Sequence, residues 1–295
     1  MKDLGLLHYF LGLEIWQRKR ELFVSQGKYA WEILEKFHMQ GCKPIDTPLP
    51  DGWRKEDATS AEVVDATVYR QLVGSLMYLV NKRPDICYAV NQLSQVMVKP
   101  TKLFWKVDRH VLRYLRDTSG YGLWYRQSDE VKLHGFMDAD WAGSPMDRKS
   151  TSGGIFSIGS TTVSWYNRKQ RSMALSSVEA EYMAASLAAC EVIWMRKILV
   201  GLFSSHLDLT VIYSDNQSCI KLSVNPVFHD RSKHIDISYH HIRDCVQRKI
   251  MLLSYIPVED QDANILTKAL TRSKFEYHRN KIGVADNSYL VEREC

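Results

Sequence analysis

The spacing of apolar positions divides the chain into a mainly helical front and a back where strands and helices alternate. Near the start, LHYFLGLEIWQ and ELFVSQ read as two short strands around the charged turn Arg18-Lys19-Arg20. Ser25 stands where a helix cap is expected, and Tyr29, Ile33, Leu34 and Phe37 recur on one face behind it. A polar stretch with Pro44, Pro48, Pro50 and Gly52 runs to about Asp65 and predicts a flexible connector. Three helical stripes follow. The first is Tyr69, Leu72, Val73, Leu76 and Val80. The second, started by Pro84-Asp85, is Ile86, Ala89, Val90 and Leu93. The third, behind Thr101 as cap, is Trp105, Val111, Leu112 and Leu115.

The period changes near Gly120. YGLWY and VKLHGFMDAD read as strands, and GGIFSIG with TTVSWY forms a hairpin around Gly159-Ser160. Ser176 or Ser177 caps a long helix that runs to about Leu199. LTVIYSD is a strand ending on an acid. A short helix follows, then a longer one over about 235–247, the strand MLLSYIP and the helix DANILTKAL. Strands first and then alternating helix and strand predict an α/β domain with a mixed sheet.

Composition changes this picture little. The 295 residues suffice for two cores, and 45% hydrophobic with 25% charged residues is an ordinary globular balance. The formal net charge of +5 permits a polyanionic partner without requiring one. None of the six cysteines forms a CxxC pair, which argues against a zinc ribbon, and in a chain this large and core-rich reduced, intracellular thiols are expected. Asp3, His8 and Glu14 interrupt the apolar N-terminus, so it reads as folded protein and not as a signal peptide. No run approaches a membrane span, and with no targeting signal the expected location is cytoplasm or nucleus.

The candidate chemistry lies in carboxylates at strand ends. Asp138 ends LHGFMD, Asp215 ends TVIYSD, and Glu181 sits in the first turns of the long helix. Asp at a strand end and Glu near a helix start also serve as caps and dipole partners, so each acid alone is weak evidence. As a set on two strands and a helix they would form one anionic pocket. Such a pocket is costly unless cations neutralise it, and hard oxygen ligands suit magnesium or manganese.

The ordered motifs DADWAG, SSVEAEYMAA, YSDNQS and ANILTKAL resemble the ribonuclease H domain of copia-type retrotransposon Pol polyproteins. RKSTSGGIFSIG, TVSWYNRKQ and NPVFHDRSKHIDISYHHIRD resemble the segments between them. Upstream, KDLGLLHYFLGLEI, YRQLVGSLMYLVNKRPDICYAVNQLSQVM and HVLRYLRDTSGYGLWY resemble the end of the reverse-transcriptase palm and the thumb/connection region. The resemblance implies a ribonuclease H-like domain at about 127–284, preceded by a reverse-transcriptase remnant at 1–126 and followed by a tail at 285–295.

By the same resemblance Asp138, Glu181 and Asp215 match the family's metal-binding acids, with Asp140 a neighbouring group and Glu179 the alternative to Glu181. The fourth acid is replaced by Asn264, whose amide oxygen brings no charge. Asp262 and Asp260 are the nearest acids that could compensate. Two magnesium or manganese ions are expected, and the implied reaction is hydrolysis of the RNA strand of RNA–DNA hybrids. The family's paired polymerase aspartates lie upstream of Met1, so no polymerase activity is expected. The alternatives are an impaired nucleic-acid-binding remnant of a mobile element, or a structural module of a larger reverse transcriptase; the partners implied are an RNA–DNA hybrid or other nucleic acid and other element-encoded proteins.

Arg168, Lys169 and Arg171, beside Trp165 and Tyr166, suit backbone tracking of a duplex and serve equally as a solvated turn. Arg109, Arg113 and Arg116 make a basic stripe on one helix that suits the same contact or simply solvent. His229, His234, His240 and His241 have no second ligand pair in register, which argues against zinc.

Overall fold

A computed structural model of the chain describes residues 6–50, 52–53, 62–127, 132–144, 147–204, 207–224 and 236–287, with side chains of 236–240 not described. The chain divides into two compact units: Met1–Ser128 together with Ala269–Cys295, and Asp129–Lys268.

In the first unit, the N-terminal hairpin forms as the pattern predicts, with β2 (Leu13–Arg18) antiparallel to β3 (Glu21–Ser25). Two short strands, β1 (Tyr9–Phe10) and β10 (Val284–Asp286), flank a five-stranded antiparallel sheet in the order β1-β2-β3-β4-β10, where β4 is Tyr121–Arg126. Helix α1 is Gly27–Lys36, but Ser25 does not cap it: its hydroxyl donates to Glu14 Oε2 at 3.3 Å and Gln26 holds the cap position. Helices α2 (Ala66–Leu79), α3 (Cys87–Ser94) and α4 (Lys102–Asp117) carry the three expected stripes. Tyr69, Leu72, Val73, Leu76, Ile86, Val90, Leu93, Val111, Leu112 and Leu115 are all buried. Asp65 caps α2 by accepting from Thr67 N at 2.7 Å. The expected connector before it falls in part on residues 51 and 54–61, outside the described residues.

The boundary drawn from sequence at 284 lies elsewhere in the compact units. Val284–Asp286 pairs with β4, and Phe275 of α8 (Arg272–Lys281) meets Tyr114 of α4 edge to face with centroids 5.6 Å apart. Residues after Lys268 therefore belong with the first core.

The second unit is a mixed sheet in the order β7-β6-β5-β8-β9. Strands β5 (Leu133–Asp140), β6 (Thr151–Ile158) and β7 (Thr161–Lys169) are successive antiparallel neighbours. Strands β8 (Thr210–Ser214) and β9 (Met251–Tyr255) then add parallel to β5. Helix α5 (Ser177–Phe203) packs on β5 and β6 through Ala180, Ala184, Ala185, Ala188 and Ala189, all buried. Alanine favours helix and keeps it close to the sheet. Helices α6 (Gln217–Val224) and α7 (Asp236–Gln247) complete the flank. This is the mixed sheet flanked by helices that the ribonuclease H resemblance implies. DANILTKAL differs from the prediction: only Asp262–Leu266 is helical, as a tight 3₁₀ turn.

Candidate metal centre

Asp138 lies in β5 two residues before its end at Asp140, and Asp215 directly follows β8, the parallel neighbour of β5. Two parallel strands that end side by side bring their terminal side chains together. Gln261 ties these ends: its Nε2 donates to Met137 O at 2.9 Å and Tyr213 O at 3.4 Å. Helix α5 contributes Glu181. Ligand oxygens of Asp138, Glu181 and Asp215 all lie within 4.8 Å of one another. Asp138 is 1% exposed and Glu181 5%, while Asp215 is half-buried.

The two helix glutamates differ in what they touch. Ser176 accepts from Glu179 N at 3.2 Å, and Glu179 Oε2 accepts from Leu175 N at 2.8 Å. Glu179 is thus occupied in satisfying backbone donors at the start of α5, as in a capping box. Glu181 Oε1 accepts from Ala139 N at 3.3 Å, and its Oε2 is buried without a hydrogen-bond partner. A buried carboxylate oxygen with no donor calls for a cation or a proton.

The electrostatics agree. Burial, then the Asp138 and Asp215 charges, push the Glu181 carboxyl up to about 9. Burial and Asp138 raise Asp215 as well, and burial pushes Asp140 up to about 6. All-oxygen donors fit a hard divalent ion such as magnesium or manganese.

A lysine enters this pocket that the sequence reading did not single out. Lys268 Nζ lies 3.2 Å from Asp138 Oδ2, 3.4 Å from Oδ1 and 2.9 Å from Asn264 Oδ1. Burial pulls its pKa down, but Asp138, Asp215 and Glu181 outweigh that and hold it above its ordinary value. The Thr267 hydroxyl donates to Asp138 Oδ2, so consecutive residues grip one carboxylate. The sequence offers only the four-residue spacing of Asn264 and Lys268, whereas the approach to Asp138 is not local.

Asn264 is buried beside the cluster, but its Nδ2 donates to Val258 O at 2.9 Å and its Oδ1 is taken by Lys268. Asp262 is buried, and burial lowers the His134 pKa despite the opposing pull of the Asp262 charge. Among the described residues, neither Asp262 nor Asp260 joins the three clustered acids.

The basic residues are less uniform than predicted. Arg168 and Arg171 are exposed, with Arg168 stacked 5.3 Å above the Tyr166 ring. Tyr166 is buried, however, and Lys169 is held by Asp147 at 2.8 Å and Ser144 at 3.0 Å. On α4, Arg109 is exposed over Trp105. Arg113 donates to Lys43 O at 2.7 Å and Arg116 to Gln40 O at 3.3 Å. Two of the three stripe arginines therefore fasten the 40–43 backbone. His229 and His234, and the side chain of His240, lie outside the described residues. His241 Nε2 is 3.9 Å from Cys190 Sγ, and the described cysteines are free thiols. No helix among the described residues is long and apolar enough to cross a membrane.

No protein-family model matches the chain. The chain is 39% identical over 284 residues to the retrovirus-related Pol polyprotein from transposon RE1 of Arabidopsis thaliana, covering 96% of this chain and 19% of that protein. It is 38% identical over 296 residues to the corresponding polyprotein from transposon TNT 1-94 of Nicotiana tabacum, covering 97% and 22%. Among solved structures, the metagenomic LC11-RNase H1 from compost aligns with 47% of this chain and 94% of its own, at 15% identity and a TM-score of 0.37. The chain spans about a fifth of the length of the curated polyproteins it matches, and over nearly its whole length it is similar to one part of the retrovirus-related Pol polyproteins of transposons.

Proposed function

We propose that the second unit hydrolyses the RNA strand of RNA–DNA hybrids with divalent metal ions held by Asp138, Glu181 and Asp215. The observation that carries this reading is the convergence of those three carboxylates around the unpartnered Glu181 Oε2. Bound there, magnesium or manganese supplies Lewis acidity for water attack and neutralises charge on the phosphodiester.

The chain's own residues do the rest. Gln261 fixes the strand ends that carry Asp138 and lead to Asp215. Thr267 and Lys268 set the orientation of the Asp138 carboxylate. Exposed Arg168 and Arg171 offer charge to a backbone phosphate, and discrimination for RNA would rest on 2′-hydroxyl contacts and hybrid shape. The polymerase chemistry of the longer relatives is not part of this proposal.

The test is cleavage of a labelled RNA–DNA hybrid with magnesium, comparing the natural chain with Asp138→Asn. Cleavage by the first and loss of at least about a hundredfold in the second are expected for a group acting on the transition-state charge. Equal cleavage by both would overturn the assignment. One observation favours a second reading, an impaired nucleic-acid-binding remnant: Asn264 supplies no charge where the family has an acid. That reading predicts hybrid binding without cleavage, and a gain of cleavage only in Asn264→Asp.

A further inference from the structure

Lys268 raises a question of number. Its ammonium touches Asp138 on the side of the pocket where Asn264 stands, and that amide is itself committed. Its Nδ2 is fastened to Val258 O at 2.9 Å, which turns Oδ1 onto Lys268 Nζ at 2.9 Å. The loss of an acid at 264 and the arrival of a cation beside it are therefore one arrangement.

We propose that the site takes a single divalent ion, and that the Lys268 ammonium, held by Asn264, is a fixed second cation. This rests on the metal-dependent reading above. Charge balance supports it. Four carboxylates balance two divalent ions, whereas three carboxylates with one ammonium leave two negative charges, which one divalent ion balances. Geometry supports it too. Among the fully buried oxygens of the three acids, the one without a partner belongs to Glu181. On the Lys268 side both Asp138 oxygens are already within 3.4 Å of Nζ, and Thr267 donates to one of them. A second ion beside Asp138 would have to displace a covalently tethered cation and then bind an uncharged amide, a weaker ligand than a carboxylate for a hard ion. Lys268 is thus a positioning residue whose tethered ammonium neutralises Asp138.

The measurement is manganese stoichiometry by equilibrium dialysis on the full chain. It is made with and without a saturating, uncleavable hybrid of DNA and 2′-O-methyl RNA, with Asp138→Asn plus the same duplex as the blank. We expect one ion in the natural chain under both conditions. Lys268→Arg, which keeps the charge, is expected to stay at one, and Asn264→Asp with Lys268→Met to bind two. Circular dichroism establishes that each variant is folded, and Asn264→Asp with Lys268→Gln serves if the methionine variant is not. Two ions in the natural chain with duplex bound would overturn the single-ion proposal and leave the metal reading standing. One ion in both folded double variants would overturn the role of Lys268. No ion in any of these proteins would sink the metal reading and this proposal with it.

Discussion

Glu179 and Glu181 are two residues apart and differ completely in task. Glu179 closes the cap of α5 through Leu175 N, and Glu181 reaches the acid cluster with one oxygen unpartnered. Glu179→Ala should cost about 1 kcal/mol of stability, as for loss of a helix cap, and leave metal affinity unchanged. Glu181→Gln should remove at least about tenfold of manganese affinity, in the range found when a group supporting a metal site is lost. Thermal melting and dialysis on the two variants separate these effects, and the reverse pattern would exchange the assignments. The Glu181 carboxyl also fixes a pH dependence. Raised from 4.5 to about 9, it binds a proton in the folded state that the unfolded chain releases. Stability of the metal-free protein is therefore highest below about pH 4.5 as far as this group is concerned, and is lost as pH rises towards 9. Metal binding displaces that proton, so affinity should rise over the same window. Denaturant midpoints of the metal-free protein between pH 5 and 9 should fall with pH, and Glu181→Gln should flatten the slope.

At the scale of elements, the pocket depends on how closely the 262–268 segment lies against the β5–β6 pair. Asp138 is paired in register with Gly153, so the two share a face. A Cβ at Gly153 would lie 2.7 Å from Thr267 Cγ2 and 3.1 Å from Leu266 Cβ. Glycine is required there by the close approach of Thr267. Gly153→Ala should push Thr267 and Lys268 off Asp138, costing about 1–3 kcal/mol as for overpacking and lowering hybrid cleavage. A variant with unchanged melting and cleavage would show that the segment gives way freely. This contact also marks a limit of the sequence reading. The strands, α5 and the three acids follow from alternation, a serine cap and strand-end carboxylates, all local signals. The turn at Asp262–Leu266 read as an α-helix because DANILTKAL has helical spacing, yet its backbone tightens against the sheet, with Asn167 of β7 donating to Leu266 O. Lys268 escaped notice because its partner Asp138 is 130 residues away, and no local pattern encodes that meeting.

Over the whole chain, the connection after Lys268 is the feature local periodicity conceals. The boundary implied by the resemblance keeps α8 with the domain that precedes it and cuts β10 after Val284, whereas β10 closes the edge of the first unit's sheet on β4. Arg279 of α8 donates to the Tyr114 hydroxyl at 3.3 Å and stacks 4.8 Å from the Tyr121 ring. Tyr114 in turn donates to Asp85 at 2.7 Å, and Asp85 holds the buried Arg83 through two contacts of 2.9 and 2.7 Å. A network of buried charges tolerates the loss of a member poorly, because the remaining groups stay desolvated. Deleting residues 269–295 would uncover the β4 edge, remove Phe275 from the core and leave Tyr114 without Arg279. The first unit should then lose several kcal/mol, on the scale of about 3–5 kcal/mol for a large core aromatic alone. The second unit ends at Lys268, so the acid pocket should survive the deletion. Calorimetry of the truncated chain should show one transition shifted sharply down or absent. Hydrogen exchange should keep β5, β6 and β8 protected, and manganese should still bind. Loss of protection in β5 and β8 together with the first unit would mean that the chain folds as one cooperative body, and that the proposed division into two domains fails.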